Sequence, residues 1–124
     1  VGTENKSEHN LGYFTRFGDE ASDIEPIRHL YKTWVFELAK SLGVPEKILT
    51  KSPTANLWAG QTDEGEFGFT YLVADEILYN LYDKKMNPKQ LLKKGIKSSD
   101  ISKVTKWVAN NDFKHHLPIT FQTK

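Results

Sequence analysis

The chain has 124 residues, about the length of one domain. Its 17 Lys and Arg residues nearly balance its 16 Asp and Glu residues, which argues against a basic nucleic-acid coat and an acidic disordered tail. It contains no cysteine, which excludes disulfides, thiolate zinc sites and a cysteine nucleophile within it. No apolar run reaches the roughly 20 residues that a bilayer requires, and no signal peptide opens the chain, so we expect a cytoplasmic protein.

Charge is unevenly distributed along the chain. Residues 1–83 carry 7 basic and 14 acidic side chains, whereas residues 84–124 carry 10 basic and 2 acidic ones. Such a basic segment can bind a polyanion, or it can pack against an acidic face of the same fold. Both interpretations are open at this point.

Apolar residues recur at helical spacing along most of the chain, so we predict a predominantly α-helical fold. Leu11 and Phe14 indicate a first helix over residues 6–14, and the Gly-Thr before it suggests a strand end that feeds the helix N-terminus. The strongest pattern begins at Pro26, a favoured first helical residue, and ends at Gly43, a stop signal.

Shorter helical segments follow. They are predicted over residues 45–49, 72–85, 88–94 and 99–111. The string Asn87-Pro88-Lys89-Gln90 supplies an N-cap, a first-turn proline and a capping-box glutamine. We expect Ser98 or Ser99 to cap the last helix and Pro118 to end the helical pattern.

A polar stretch with three glycines covers residues 54–68. Its composition is typical of a mobile surface loop, and long loops are often functional. Trp58 lies among hydroxyl and carboxylate residues in this loop, which suggests a lid. In the alternative interpretation, Leu57 and Trp58 pin the loop to the core.

Thr3 and Glu8 flank the predicted start of the first helix. The free N–H groups at such a start attract phosphate, and a threonine hydroxyl adds a neutral donor. Glu8 is close enough to hold a divalent cation beside that phosphate. The spacing alone favours a simpler interpretation, in which Thr3 and Ser7 cap the helix and Glu8 is solvated.

Arg28 and Lys32 lie near the predicted start of the strongest helix. Cations are disfavoured there by about 0.3–1 kcal/mol each, unless an anion pairs with them. Asp23 and Glu25 could be that anion, or a bound phosphate could. The residues do not decide between these alternatives.

The last two predicted helices support a second functional hypothesis, a helix-turn-helix module that binds nucleic acid or another polyanion. Six lysines surround them: Lys89, Lys93, Lys94, Lys97, Lys103 and Lys106. Because the second helix has no arginine for bidentate base recognition, its contacts would be mainly to phosphate.

The four histidines give no sign of a zinc site. No two of them have the i, i+3 or i, i+4 spacing of helix-borne zinc ligands. We therefore expect surface groups at His9, His29, His115 and His116.

Five strings occur in one order. They are Gly-Thr-x-x-x-Ser-Glu over residues 2–8, Leu-Gly-Tyr-Phe-Thr-Arg-Phe-Gly-Asp over 11–19, Asp-Ile-Glu-Pro-Ile over 23–27, Leu-Tyr-Lys-Thr over 30–33 and Pro-Thr-Ala-Asn-Leu-Trp-Ala-Gly-Gln-Thr-Asp-Glu over 53–64. Together they closely resemble the C-terminal half of the NAD synthetase family, over essentially the whole chain. Five ordered motifs are far more specific than any one alone.

The resemblance implies an ATP-dependent ligase that adenylates the nicotinate carboxylate of deamido-NAD, after which ammonia displaces AMP to give NAD. It implies an α/β three-layer, Rossmann-like fold of the adenine nucleotide alpha hydrolase type, with residues 1–124 as the C-terminal portion of a single domain. It also implies a homodimer that binds deamido-NAD across the subunit interface. We expect ammonia rather than glutamine as nitrogen donor, and neither a membrane nor a nucleic acid as partner.

The resemblance also implies roles for individual residues. ATP contacts are implied for Thr3, Lys32 and Thr54, with Lys32 and Thr54 as the catalytic candidates. Coordination of Mg²⁺ is implied for Glu8. Contacts with deamido-NAD are implied for Arg16, Asp23, Phe113 and Lys114. Residues 54–68 would be a mobile active-site loop that closes over both substrates.

The chain departs from the family pattern at several positions. Arg16 stands where Lys is usual and Phe113 where His is common, while Glu20, Glu25 and Asn56 replace Gly, Asn and Asp. The family's Ser-Gly-Gly-x-Asp-Ser loop, which grips pyrophosphate, does not occur in these residues. We therefore expect this segment alone to lack turnover, to expose hydrophobic surface and to be marginally stable or self-associating.

Overall fold

A computed structural model describes residues 1–116 and residue 121. The α-helices in this part are α1 (Lys6–Leu11), α2 (Lys32–Ser41), α3 (Glu46–Leu49), α4 (Asp63–Phe67), α5 (Tyr71–Leu78), α6 (Pro88–Lys93) and α7 (Ser98–Asn111). A π-helical turn, Tyr79–Asp83, continues α5, and a 3₁₀ turn, Asp112–His115, continues α7. These residues contain no strand, which confirms a predominantly helical chain over the described ranges. Pro118 lies outside them.

Helix α5 forms the centre of the fold, because it packs against α1, α2 and α7. Five of its eight residues are buried: Tyr71, Ala74, Asp75, Ile77 and Leu78. The exposed positions of this helix are Leu72 and Glu76, so most of its surface is covered by protein. Asp75 is the charged residue of this buried set.

Helix α7 closes one side of the core with the face that its periodicity predicts. Ile101 and Val104 are buried, and Trp107 and Val108 pack against the same cluster. The Trp107 ring meets the Phe67 ring edge-on at 5.0 Å between centroids. Its Nε1 donates to the Leu11 carbonyl at 3.1 Å, so α7 also holds the end of α1.

Helix α2 begins later than its hydrophobic pattern predicts. The expected start at Pro26 is wrong, since α2 begins at Lys32 and the preceding residues form turns. Tyr31 interrupts the pattern with an extended ψ of 155°. Its side chain is fully buried and its hydroxyl donates to Asp83, while the Leu30 carbonyl accepts from the Lys6 amide at 2.8 Å. Tertiary contacts therefore override helical periodicity here.

The region before α1 is not a strand in the described part of the chain. Gly2 donates to the Ile24 carbonyl at 2.8 Å, but no ladder follows. The helix also ends at Leu11 rather than Phe14. Gly12 has a φ of +63°, and a Cβ there would lie 2.7 Å from the Cβ of Asn111, so glycine is required by both conformation and space.

The C-terminal helices match their predicted ranges, with one error in capping. Asn87 and Gln90 form the predicted capping box of α6. The expected serine cap of α7 is wrong, because Lys97 is the N-cap and makes no side-chain hydrogen bond there. Ser98 is already the first helical residue.

Residues 54–68 are only partly a loop. Their second half contains α4, which Thr62 caps by accepting from the Gly65 amide at 3.2 Å. Leu57 and Trp58 are 72% and 56% exposed. The alternative in which these two side chains pin the loop to the core is therefore wrong.

Helix α2 exposes its apolar stripe. None of its residues is buried, and Trp34, Leu38 and the adjoining Leu42 are 44%, 41% and 73% exposed. This confirms the expected exposure of hydrophobic surface. None of the helices in the described part has both the length and the apolar character to cross a bilayer.

We predict that the combined substitutions Leu38→Gln and Leu42→Gln weaken self-association of the 124-residue chain. Exposed apolar stripes drive association, and these side chains contribute little to the core. Sedimentation velocity at increasing concentration measures the effect. Leu92→Gln, at a half-exposed position on α6, is the matched control. Equal association of the double variant and the parent would contradict the prediction.

Candidate functional site

A cavity of about 710 Å³ opens between α1, the start of α2, the 54–62 loop and the end of α7. Five of the residues singled out in the sequence line it: Thr3, Glu8, Lys32, Thr54 and Lys114. Arg16, Asp23 and Phe113 do not belong to its lining. The cavity therefore collects the residues implied for ATP and magnesium, together with one of those implied for deamido-NAD.

Glu8 is oriented by hydrogen bonds at both carboxylate oxygens. Asn5, rather than Thr3 or Ser7, caps α1 by accepting from the amides of Ser7 and Glu8, and Glu8 Oε2 accepts from the Asn5 amide at 3.1 Å. Glu8 Oε1 accepts from Lys32 Nζ at 2.7 Å. Both side chains are less than a fifth exposed, so the simpler interpretation of Glu8 as a solvated residue is wrong.

The start of α2 is capped by side chains from other helices. The Lys32 amide donates to Ser7 Oγ at 2.7 Å, and the Thr33 amide donates to Asp75 Oδ2 at 2.8 Å. The Thr33 hydroxyl donates to the same oxygen at 2.8 Å, and the Ser7 hydroxyl donates to Asp75 Oδ1. Burial raises the pKa of Asp75, and the hydrogen bonds from Ser7 and Thr33 oppose that rise.

The anions beside Lys32 are therefore Glu8 and Asp75, and the alternative in which Asp23 or Glu25 pairs with it is wrong. Asp23 is exposed. Glu25 accepts from the Glu4 amide at 3.1 Å and from the Ser22 hydroxyl at 2.5 Å. Sequence reasoning looked for the partner upstream of the helix, whereas the fold supplies it from α1 and α5.

Arg28 lies outside α2 and joins three side chains of ligand type. Its guanidinium contacts His9 Nδ1 at 2.7 Å, Glu20 Oε1 at 3.3 Å and Glu4 Oε2 at 3.5 Å. Glu4, His9 and Glu20 offer atoms within 4.8 Å of one another, a spacing that could hold a metal ion. Because the guanidinium lies between them, we assign them to an ion-pair network. His9 is half-buried in it, contrary to its expected surface position.

Thr54 belongs to a hydrogen-bonded network that closes the base of the 54–62 loop. Its hydroxyl lies 2.7 Å from both the carbonyl and Oε1 of Gln61, and Gln61 Nε2 donates to the Tyr13 hydroxyl at 2.8 Å. Tyr13 in turn donates to Glu66 Oε2 at 2.9 Å. Sequence reasoning missed Gln61 and Tyr13, although both lie in the quoted family strings.

Arg16 contacts the segment that follows α7, which contains Phe113 and Lys114. Arg16 donates to the carbonyls of Phe113, Lys114 and His116 at 2.7, 3.0 and 2.6 Å. A planar guanidinium with five donors can bridge three carbonyls, which explains how arginine serves at this position. Lys114 Nζ donates back to the carbonyls of Gly12 and Phe14, so the two segments are held from both sides.

The six lysines around α6 and α7 are all exposed. Across residues 1–116, none of them forms an ion pair with a carboxylate. Within the described residues, these side chains therefore do not pair with an acidic face. Binding of a polyanion stays a hypothesis.

Tyr71 predicts a specific loss of stability in alkali. Its buried hydroxyl donates to Asp63 Oδ2 at 3.0 Å. Burial, followed by the nearby Glu8 and Asp63 charges, raises the pKa of Tyr71 far above its ordinary 10.0. Its contribution to stability is therefore complete below pH 10 and is lost as pH rises further, because only the unfolded chain can ionise it. The loss approaches about 1.4 kcal/mol per pH unit.

Urea unfolding at steps from about pH 9 to about pH 12 measures this slope. We expect Tyr71→Phe to lower stability at neutral pH, because Asp63 loses a donor, and to flatten the alkaline slope relative to the parent chain. Parallel slopes for the two proteins would contradict the assignment.

Comparison with known proteins identifies the family. The family model described as NAD synthase matches residues 1–118. The NH(3)-dependent NAD(+) synthetase of Trichlorobacter lovleyi is 46% identical over 119 residues, which cover 96% of this chain and 44% of that protein. Its counterpart from Thermoplasma acidophilum is 48% identical over 123 residues, which cover 98% and 47%. The chain thus spans about half the length of the curated relatives it matches.

Solved structures agree with this result. The NMN synthetase from Francisella tularensis has a TM-score of 0.74 at 38% identity, with 98% of this chain and 46% of that chain covered. The NH3-dependent NAD synthetase from Campylobacter jejuni, in complex with nitrate, has a TM-score of 0.68 at 30% identity, with 98% and 44% covered. The helices, the cavity and these matches together establish that the chain belongs to the NAD synthase family.

Proposed function

We propose that this chain forms one wall of the active site of an ATP-dependent ligase that converts deamido-NAD to NAD with ammonia. The observation that carries the proposal is the shared cavity of Thr3, Glu8, Lys32 and Thr54, which are the residues that match the ATP and magnesium motifs. Family membership and the names of the NH(3)-dependent relatives support the same activity. The opposite wall would come from the remainder of the protein.

The proposed reaction has two steps. A carboxylate oxygen of the nicotinate attacks the α-phosphorus of ATP, and the bond from that phosphorus to the pyrophosphate oxygen breaks. The nitrogen of ammonia then attacks the carbonyl carbon of this adenylate. The bond from that carbon to the bridging oxygen breaks, AMP leaves with the bridging oxygen, and the nitrogen loses a proton to give the amide. Both steps rely on positioning and charge stabilisation, so no protein nucleophile is required.

In the first step, Lys32 would stabilise charge on ATP directly, and Glu8 would do so through a bound metal ion. Lys32 Nζ, now held by Glu8 at 2.7 Å, would donate to phosphate oxygens of ATP. Glu8 offers the hard carboxylate oxygen that Mg²⁺ prefers, and protein sites for Mg²⁺ commonly use one or two carboxylates with substrate phosphates. When bound, the ion would neutralise charge on those phosphates. Thr3 and Thr54 would add neutral donors.

The deamido-NAD site would adjoin this cavity at Lys114. The bonds from Arg16 to three carbonyls support a role in holding Phe113 and Lys114 in place. Asp23 is exposed and outside the cavity lining, so it would reach a substrate only where that substrate extends beyond this wall. Binding across the interface of a homodimer would meet that requirement.

We infer a wider arrangement on the same basis. Residues 1–124 would complete a three-layer, Rossmann-like α/β domain in a cytoplasmic homodimer, with residues 54–68 as a mobile cover. The exposed apolar stripe of α2 supports this inference, because a further layer would shield it. Coverage of less than half of the curated relatives supports it independently.

The second candidate function is the amidation of a mononucleotide instead of the dinucleotide deamido-NAD. The Francisella tularensis protein of similar structure is described as an NMN synthetase, and amidation of nicotinate mononucleotide would use the same carboxylate and the same two steps. The two substrates share the nicotinate mononucleotide half. Deamido-NAD carries in addition an AMP group, which is joined to that half through a pyrophosphate bond. A direct competition between them therefore separates the candidates.

The test uses the complete protein that contains this chain. It is incubated with ATP and magnesium, with deamido-NAD and nicotinate mononucleotide in equal amounts, and with either ammonium or glutamine. Chromatography of the products measures NAD and NMN. We expect NAD with ammonium and little product with glutamine. NMN as the main product would favour the second candidate, and amidation of neither acid would overturn the proposal.

Lys32→Ala should lower kcat/KM for ATP by about a hundredfold or more, the usual effect of removing one preorganised donor to developing charge. Initial rates at varied ATP measure this effect in the complete protein. Lys40→Ala, on an exposed position of the same helix, is the matched control and should leave the rates unchanged. Unchanged turnover and ATP affinity in Lys32→Ala would exclude the assigned role.

A further inference from the structure

Two short segments bear the central residues of the cavity, and two carboxylates, the buried Asp75 and the exposed Asp83, tie them together. The first segment is Lys6-Ser7-Glu8 in α1, and the second is Tyr31-Lys32-Thr33 at the start of α2. Asp75 contacts the middle residue of the first and the last residue of the second. Asp83, at the end of the π-helical turn, accepts from Lys6 Nζ and from the Tyr31 hydroxyl at 2.5 Å each.

Asp75 acts as the N-cap that α2 lacks in its own sequence. The N-cap residue Tyr31 makes no side-chain cap bond, and the first turn of α2 contains no acidic residue. The first four amides of a helix need acceptors from outside, and an anion is favoured there by the helix dipole. Asp75 meets both requirements for Thr33, and Ser7 relays the contact to the Lys32 amide.

We propose that Asp75 is a positioning residue for the ligase reaction, which holds α1 and α2 so that Glu8 and Lys32 face the same phosphate site. It does not line the cavity and touches neither reacting group. Its contacts lie directly beside Glu8 and Lys32 in the chain, so a shift of either segment would change the Nζ to Oε1 distance of 2.7 Å. The proposal rests on the proposed function for its kinetic consequences.

Asp75 accepts hydrogen bonds at both of its carboxylate oxygens. Three groups from outside α5 donate hydrogen bonds to the Asp75 carboxylate. They are the Ser7 hydroxyl, the Thr33 amide and the Thr33 hydroxyl. The Ser7 oxygen also accepts from the Lys32 amide, so the Ser7 hydroxyl links Lys32 to Asp75. An asparagine of the same shape has one acceptor and one donor group, so it can accept on only one side, and the donor at Ser7 or the donors at Thr33 lose their acceptor. Asp75→Asn therefore removes one contact without creating a cavity.

In the complete protein, Asp75→Asn should raise KM for ATP about tenfold and lower kcat, with KM for deamido-NAD unchanged. The selectivity follows because Arg16, Phe113 and Lys114 are held by a separate set of hydrogen bonds. Mere partial unfolding would instead lower the active fraction and leave both KM values unchanged. Glu76→Gln, at the next and exposed position of α5, is the matched control and should behave as the parent protein does.

A pair of substitutions at Thr33 supplies a second readout. Thr33→Ser keeps the hydroxyl and should keep the parent kinetics, whereas Thr33→Val loses it and should shift KM for ATP in the same direction as Asp75→Asn. Combining Thr33→Val with Asp75→Asn should give less than the product of the two separate effects, because both changes break the same contact.

Amide hydrogen exchange tests the proposal without any activity. The Thr33 amide should exchange at least about tenfold faster in Asp75→Asn than in the parent protein, and the Val108 amide in α7 should not change. Parent-like exchange together with parent-like KM for ATP would overturn the positioning role, even if the ligase activity is present. If no ligase activity is found, faster exchange at Thr33 would support the cap, and unchanged exchange would overturn it.

Discussion

The structure depends on the contact between Lys32 and Glu8 at the wall of the cavity. The two charged atoms lie 2.7 Å apart, and neither side chain is more than a fifth exposed. Solvent screens a pair at this depth less than it screens a surface pair. The contribution of this pair to function would be to fix the positions of the two side chains. Each of the two charges has the other as its partner at the cavity wall. The helices α1, α2 and α5 are arranged so that this pair can form.

Much of the helical pattern could be predicted from sequence, because local signals and tertiary packing agree there. The capping box of α6 and the buried face of α7 are examples, with Asn87 and Val104 in their expected roles. The start of α2 could not be predicted in this way. Its hydrophobic pattern continues upstream of Tyr31, whereas the buried tyrosine and its bond to Asp83 impose an extended backbone. A single chain carries no local sign of a partner that is 52 residues away.

The candidate site shows the same division. The family strings point to Thr3, Glu8, Lys32 and Thr54, and the cavity contains all four. The residues that hold them were missed, because Asp75, Gln61 and Tyr13 act across distances that periodicity does not report. The alternative of Asp23 and Glu25 failed for the same reason, because it looked for the anion in the adjoining sequence, whereas the fold supplies Glu8 from α1 and Asp75 from α5.

We propose that Glu8 and Lys32 face a bound triphosphate in the complete protein. A crystal structure of the complete protein with magnesium and a nonhydrolysable ATP analogue tests it most directly. In that crystal, Lys32 Nζ should lie within hydrogen-bonding distance of a phosphate oxygen, and a carboxylate oxygen of Glu8 should lie about 2.1 Å from the metal ion. A nucleotide bound elsewhere, with these two side chains still paired to each other and turned from it, would contradict the account.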